Sequence, residues 1–142
     1  MTTATTSAPT ARYGKFTVDG TDVARSKNHV VNPKLASKSE WGDSDSAGYT
    51  VRQPGRKDCT FTVDGTFDST TEQYDAFQPG DKVQATLWMT QALYWDFPCA
   101  MNDDFSLTIN RDTEEVMGWS GAFGTDGIYY YPGQSGAAAR TY

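Results

Sequence analysis

Asp58–Asp68 (DCTFTVDGTFD) and Gly80–Thr90 (GDKVQATLWMT) decide the fold, because each alternates apolar and polar residues with the period of a strand. In the first, Cys59, Phe61, Val63 and Phe67 share one face, and Thr60, Thr62, Asp64 and Thr66 share the other. In the second, Val83, Ala85, Leu87 and Met89 oppose Gln84, Thr86 and Trp88. Strands of this kind build an antiparallel sheet with one buried face.

Between them the chain carries one helical stretch. Ser69 and Glu72 form a capping-box pattern, Tyr74 and Phe77 lie one turn apart on a shared face, and Pro79-Gly80 stops the run. Upstream, Tyr13–Val18 reads as a strand closed by an Asp19-Gly20 turn, with a second short strand near Val23–Arg25 or Asn28–Val31, so a hairpin opens the domain. From Asn32-Pro33 to Gly55 the apolar periodicity disappears, and this stretch is expected as a long inter-strand loop holding Trp41 and Tyr49. Downstream, Leu93–Met101, Phe105–Ile109 and Val116–Phe123 read as strands, with turns at Asn102-Asp103-Asp104, Arg111-Asp112 and Thr125-Asp126-Gly127. The hexapeptide FTVDGT occurs at Phe16–Thr21 and again at Phe61–Thr66; two copies are too few for a repeat architecture, and shared strand-and-turn chemistry accounts for both.

The 142 residues suit one domain, and a composition rich in Thr, Asp, Gly, Tyr and Trp favours strands and turns over helices. Residues 1–12, mostly Thr, Ala, Ser and Pro, form a flexible N-terminal arm; 13–128 are the β domain, and 129–142 are a C-terminal extension. The arm has neither the basic start nor the apolar centre of a signal peptide, and no apolar run approaches a membrane span. A net charge of −6 argues against a protein that grips phosphate backbones. Cys59 and Cys99 both fall in strands and are expected as free, buried thiols.

The residues offer no credible catalytic constellation. His29 is the single histidine and has no nucleophile pattern beside it. Ser120 and Ser135 lack the G-x-S-x-G spacing of a nucleophile elbow. Asp43-Ser44-Asp45 and Asp103-Asp104 do not continue into a calcium loop, and Gly80-Asp81-Lys82 lacks the upstream glycine of a phosphate loop. Glu114 and Glu115 are adjacent and point apart in a strand. No metal or cofactor is expected, and the chain reads as a non-enzyme.

Four Trp and eight Tyr are more than a modest core absorbs, and exposed aromatics mark interfaces. Trp95 and Trp119 belong to apolar strands and are assigned to the core. Trp41 and Tyr129, Tyr130 and Tyr131 lie outside the strands and are interface candidates.

The order of these elements resembles the tail tube proteins of long-tailed bacteriophages over roughly Gly14–Gly127. The likeness rests on the GKFTVDGT strand-turn leading to Val23-Ala24 and the long connection with Trp41-Gly42-Asp43. It continues through the Thr60–Phe67 strand with Gly65, the short helix, the Gly80–Met89 strand, the aromatic strand Leu93–Met101 and the Val116–Phe123 strand followed by Gly124 and Gly127. The resemblance implies a mainly β, antiparallel sandwich or barrel-like tail-tube fold with one short helix. It implies hexameric rings stacked into a hollow tube that conducts DNA in the virion tail, assembled in the host bacterial cytoplasm. Its partners would be identical copies and other tail proteins such as the tape measure, terminator and distal tail proteins, with DNA passing but not bound and no membrane. Trp41, Asp43, Tyr49, Arg52, Arg56 and Tyr129–Tyr131 would make inter-ring or inter-subunit contacts, and Asp103, Asp104, Asp112 and Glu114 would face the lumen. The alternatives are a capsid decoration protein, or a carbohydrate-binding β-sandwich with Trp41, Trp88 and Tyr130 as stacking platforms.

Overall fold

The computed structural model describes residues 11–23, 26–35, 38–42, 47–67 and 78–142; the helix expected from Ser69 to Phe77, Asp43 and the first ten residues of the arm lie outside them. A single 3-10 turn, Ala11–Tyr13, leads into β1 (Lys15–Val18) and β2 (Thr21–Asp22). Then come β3 (Ser26–Leu35), β4 (Lys38–Trp41), β5 (Val51–Pro54), β6 (Lys57–Thr66), β7 (Lys82–Trp88), β8 (Tyr94–Thr108) and β9 (Gly118–Thr125). All ladders are antiparallel, in a seven-stranded sheet of order β2-β1-β7-β8-β9-β6-β3 and a separate two-stranded ribbon, β4-β5.

Asp19 and Gly20 take φ of 51° and 81°, the left-handed pair that a two-residue hairpin turn needs, so Val18 meets Thr21 directly. The second FTVDGT does not turn. Asp64 and Gly65 continue through β6 opposite Ser120 and Trp119, and Trp119 Nε1 donates to Thr66 O at 3.1 Å. Gly65 has no side chain to compete with the indole across from it.

The fold depends on one long strand. The first half of β8 pairs with β7, from Tyr94 opposite Trp88 to Met101 opposite Lys82, while its second half pairs with β9, from Ala100 opposite Thr125 to Thr108 opposite Gly118. The register shifts between Asn102 and Asp104, which partner the consecutive residues Phe123 and Ala122. The expected turn at Asn102-Asp103-Asp104 is therefore a β-bulge inside one continuous strand, and the two strands read on either side of it are one. The turn-forming residues accommodate the extra residue instead of reversing the chain. Gly80 N donates to Asn102 O at 2.8 Å and Asn102 N to Asp81 O at 2.9 Å, tying the corner to the start of β7.

Because β8 changes partners at this corner, the sheet folds into two facing layers: β1, β7 and the first half of β8 against the second half of β8, β9, β6 and β3. Phe16 of β1 lies 6.1 Å from Phe61 of β6 and 5.8 Å from Phe123 of β9, so the aromatic core lies between the layers. Phe16 also comes within 6.3 Å of His29 on β3, which brings the two open ends of the sheet together like a barrel left unzipped. Phe16, Cys59, Phe61, Val63, Ala85, Leu87, Phe97, Trp119 and Phe123 are fully or almost fully buried. Trp95 packs against that core.

The structure corrects the expected long loop. β3 runs on through Pro33 to Leu35, which is allowed because β3 is an edge strand and one side of its backbone needs no ladder. Beyond it, β4 and β5 form the ribbon, with Trp41 opposite Val51 and an Arg52 Nε to Glu40 Oε1 bond of 3.3 Å.

Candidate functional surface

Cross-strand partners share a face, so the register fixes what the second layer presents away from the core. β3 contributes Asn28, Val30, Asn32 and Lys34, and β6 contributes Asp58, Thr60, Thr62, Asp64 and Thr66. β9 contributes Gly118, Ser120, Ala122 and Gly124, and β8 contributes Met101, Asp104, Ser106 and Thr108. Among the described residues most of this surface is small, hydroxyl or carboxylate side chains, with Val30 and Met101 as its exposed apolar members, and none of those named is aromatic. The bulge adds Asp103: a Cβ on Gly124 would stand 3.3 Å from Asp103 Oδ2, so the missing side chain at Gly124 is what lets this carboxylate lie over the sheet. Asp58, Asp64, Asp103 and Asp104 outweigh Lys34, and the face is acidic. At its rim Lys82 Nζ lies 2.9 Å from Asp126 Oδ2; this hydrogen bond holds the ammonium above its ordinary range and the carboxyl below it.

Among the described residues, both lateral margins of this layer are open. β3 ends the sheet, and past Met101 the side of β8 away from β9 has no ladder partner among the described residues. Unpaired strand edges are templates for pairing with another chain.

Of the residues proposed from sequence to face a lumen, Asp103 and Asp104 lie on this face. Asp112 and Glu114 lie in the turn beyond the ends of β8 and β9, with Glu114 at a φ of 52°. Asp58 and Asp64 join the face unforeseen, although the alternation of β6 already put Asp64 on the polar side. Of the contact candidates, Trp41 is 45% exposed, Tyr49 is 77% exposed, and Arg52 and Arg56 are exposed, all on or beside the ribbon.

The Tyr cluster is less free than its sequence suggested. Tyr129 packs against the core, Tyr130 pairs with Asp96 through reciprocal backbone hydrogen bonds, and Tyr131, 47% exposed, lies 4.7 Å from the Trp95 ring. Trp88, expected on the polar side of β7, is only 3% exposed, and Met89, expected in the core, is 40% exposed. Residues 132–142 cause the first of these differences: they fold back over the outer face of the β1-β7-β8 layer, where Tyr94 Oη donates to Ala138 O and Tyr142 stands edge-on to Trp88 at 5.3 Å. A buried indole is no stacking platform, so the carbohydrate reading loses Trp88. Cys59 and Cys99 are free; Cys59 is buried and Cys99 half-buried. Among the described residues no group of three or more His, Cys, Asp or Glu is placed to hold a metal ion, and no helix is long and apolar enough to cross a membrane.

Solved structures share this arrangement of strands. The tail of an empty gene transfer agent particle, refined with C6 symmetry, superposes with a TM-score of 0.66 at 12% identity, over 84% of this chain and 93% of its own. The fold is that of phage-tail-like tube proteins. The tail-tube fold recurs in the sheath-tube complex of an extracellular contractile injection system (TM-score 0.67, 13% identity, 89% of this chain and 94% of that one). It recurs again in the tube terminating cap of the anti-feeding prophage (0.68, 11%, 92% and 96%). No protein-family model and no curated protein sequence matches the chain.

Proposed function

We propose that this chain is a structural, non-enzymatic subunit of a phage-like tail tube, forming rings, six subunits each, that stack into a hollow conduit for DNA. The observation that carries this reading is the acidic, small-residue face flanked on both sides by unpaired strand edges. Joining the β3 edge of one copy to the free side of β8 in the next is a head-to-tail contact, and such a contact makes a ring when the rotation closes. The same operation carries the acidic face around a continuous wall. The C6 symmetry of the gene transfer agent tail supports six subunits.

A wall of Thr, Ser, Gly and Asp suits passage without capture. Its carboxylates repel phosphates within a Debye length of roughly 8–10 Å at physiological salt, and it offers neither the clustered Lys and Arg nor the aromatic platforms that retain nucleic acid. On this reading the β4-β5 ribbon, with Trp41 and Tyr49, reaches the next ring, because a lone two-stranded hairpin is marginal in water and gains by packing elsewhere. Its other partners are further tail proteins, including those that end the tube, and its place is the virion tail.

Negative-stain electron microscopy of the purified chain over a concentration series tests this. Rings or hollow tubes with six-fold end views are expected. Particles that stay monomeric at every concentration, with and without crowding agent, overturn the reading.

A further inference from the structure

Residues 132–142 form a strap, and what it covers is unlike the rest of the outer face. Asp96 of β8 is fully buried, and its Oδ1 accepts from Gln84 Nε2 at 3.2 Å. The cation facing it is Arg140, with Nε 3.5 Å from Oδ1, too far for a well-formed hydrogen bond. Both Asp96 Oδ2 and Arg140 Nε are buried without a hydrogen-bond partner. Two residues on, the Tyr142 ring sits under Lys15 Nζ at 4.1 Å and edge-on to Trp88, while Tyr94 Oη donates to Ala138 O at 2.8 Å and accepts from Arg140 N at 3.1 Å.

The connection to this anchor is a hinge by composition. Residues 132–139 read PGQSGAAA, and Gly133 and Gly136 take φ of 76° and 93°. Small residues with left-handed glycines leave such a segment free to adopt other paths. Eight extended residues reach about 25–30 Å at most, the width of a small domain.

We propose that the strap is exchangeable: Arg140 and Tyr142 of one copy dock in the Asp96–Trp88 cleft of a second copy lying beside it. The recognition elements are identical in every copy, so exchange keeps each contact made in the closed chain. The closed seat leaves a buried carboxylate oxygen and a guanidinium nitrogen unmet, a costly state that holds the strap less firmly than a fully bonded ion pair would. The proposal rests on the self-assembly reading only in requiring a neighbour within reach.

The test uses full-length chains in a Cys99→Ser background. Lys15→Cys and Tyr142→Cys are placed on separate chains, which are mixed, assembled and mildly oxidised. A covalent heterodimer on a non-reducing gel is expected, and the double variant should give a ladder of linked chains when assembled and an internal disulfide when not. Only internal disulfides in the assembled double variant overturn the proposal. If no assembly forms, the ring reading fails, and exchange is decided separately with a fluorescent peptide of residues 136–142 added to the full-length Arg140→Ala chain. Saturable binding, weakened about tenfold or more when the peptide carries Ala in place of its Arg, supports exchange; no saturable binding overturns it.

Discussion

The rings of Phe61 on β6 and Phe123 on β9 lie parallel, their centroids 4.9 Å apart and their planes 4° apart, at directly paired positions of the ladder. Phe97, from the opposite layer, stacks on Phe61 itself at 4.4 Å, and Phe16 of that same layer stands 6.1 Å from Phe61. One side chain thus joins both layers. Phe61→Ala is expected to destabilise the monomer by about 3–5 kcal/mol, read as a lower urea midpoint at unchanged slope. A loss under about 1 kcal/mol would show that the layers do not pack through this residue.

Burial lowers the pKa of His29 below its ordinary 6.5, and the Asp64 carboxylate opposes this only partly. Folding therefore favours the neutral imidazole, and Nε2, buried without a hydrogen-bond partner, is consistent with that. Between the depressed native value and 6.5 the unfolded chain binds more protons, so stability is complete above about 6.5 and declines as the pH falls through that window. Urea midpoints at pH 7.5 and 5.5 should fall further for the native chain than for His29→Asn. Equal declines would remove His29 from the pH dependence.

The period-two pattern of Asp58–Asp68 placed Cys59, Phe61 and Val63 inside, as found, because a strand alternates whatever its partners are. The corner at Asn102–Asp104 was not legible in the same way. The same Asn and Asp residues favour a turn and a bulge, and only the separate partners of β8 on each side choose between them. The two FTVDGT copies make a similar case: one Asp-Gly turns and the other stays extended opposite Trp119, so tertiary pairing overrides local preference. Trp88 was misplaced because its cover comes from Tyr142, fifty-four residues downstream. Of the acidic face, Asp64 follows from the alternation of β6, and Asp58 with it once the strand begins at Lys57, whereas only the bulge and the register of β8 with β9 put Asp103 and Asp104 over the same face.

The two thiols should differ sharply. Burial, reinforced by the Asp58 charge, pushes the Cys59 pKa up to about 11, whereas Cys99 is half-buried with Sγ 3.9 Å from Asp126 Oδ2. Since the thiolate is the nucleophile, Cys59 stays inert at pH 8. Mass spectrometry after brief maleimide treatment should show one label per native chain, on Cys99, and two per chain in urea. Rapid labelling of Cys59 in the native chain would contradict its burial.

The acidic face supports a charge-reversal test that spares the core. Thr62 and Asp104 are exposed and their neighbours are small, so Thr62→Lys with Asp104→Lys is expected to shift stability by no more than about 1 kcal/mol. Assembled variants should retain short duplex DNA at low ionic strength and release it as salt rises, with a slope of roughly 0.9 per phosphate neutralised. Native assemblies should retain none. DNA retention that is equal in both would mean that this face does not line the conduit.

Trp41 and Tyr49 stand on or beside a ribbon that, among the described residues, pairs only with itself, and both are well exposed, so the monomer gains little from either ring. Trp41→Ala and Tyr49→Ala should leave the melting temperature almost unchanged, a difference of about 0.5 kcal/mol or less. If these rings fill pockets on a neighbouring ring, each loss should act as an interface hot spot of about 2 kcal/mol, raising the critical concentration for tube growth more than tenfold. Sedimentation of assembled protein against total concentration reads this directly. If, as proposed, rings close through strand edges and the ribbon acts between rings, electron micrographs of the variants should show single rings persisting as long tubes disappear. Tubes of native length in both variants would assign stacking to another element.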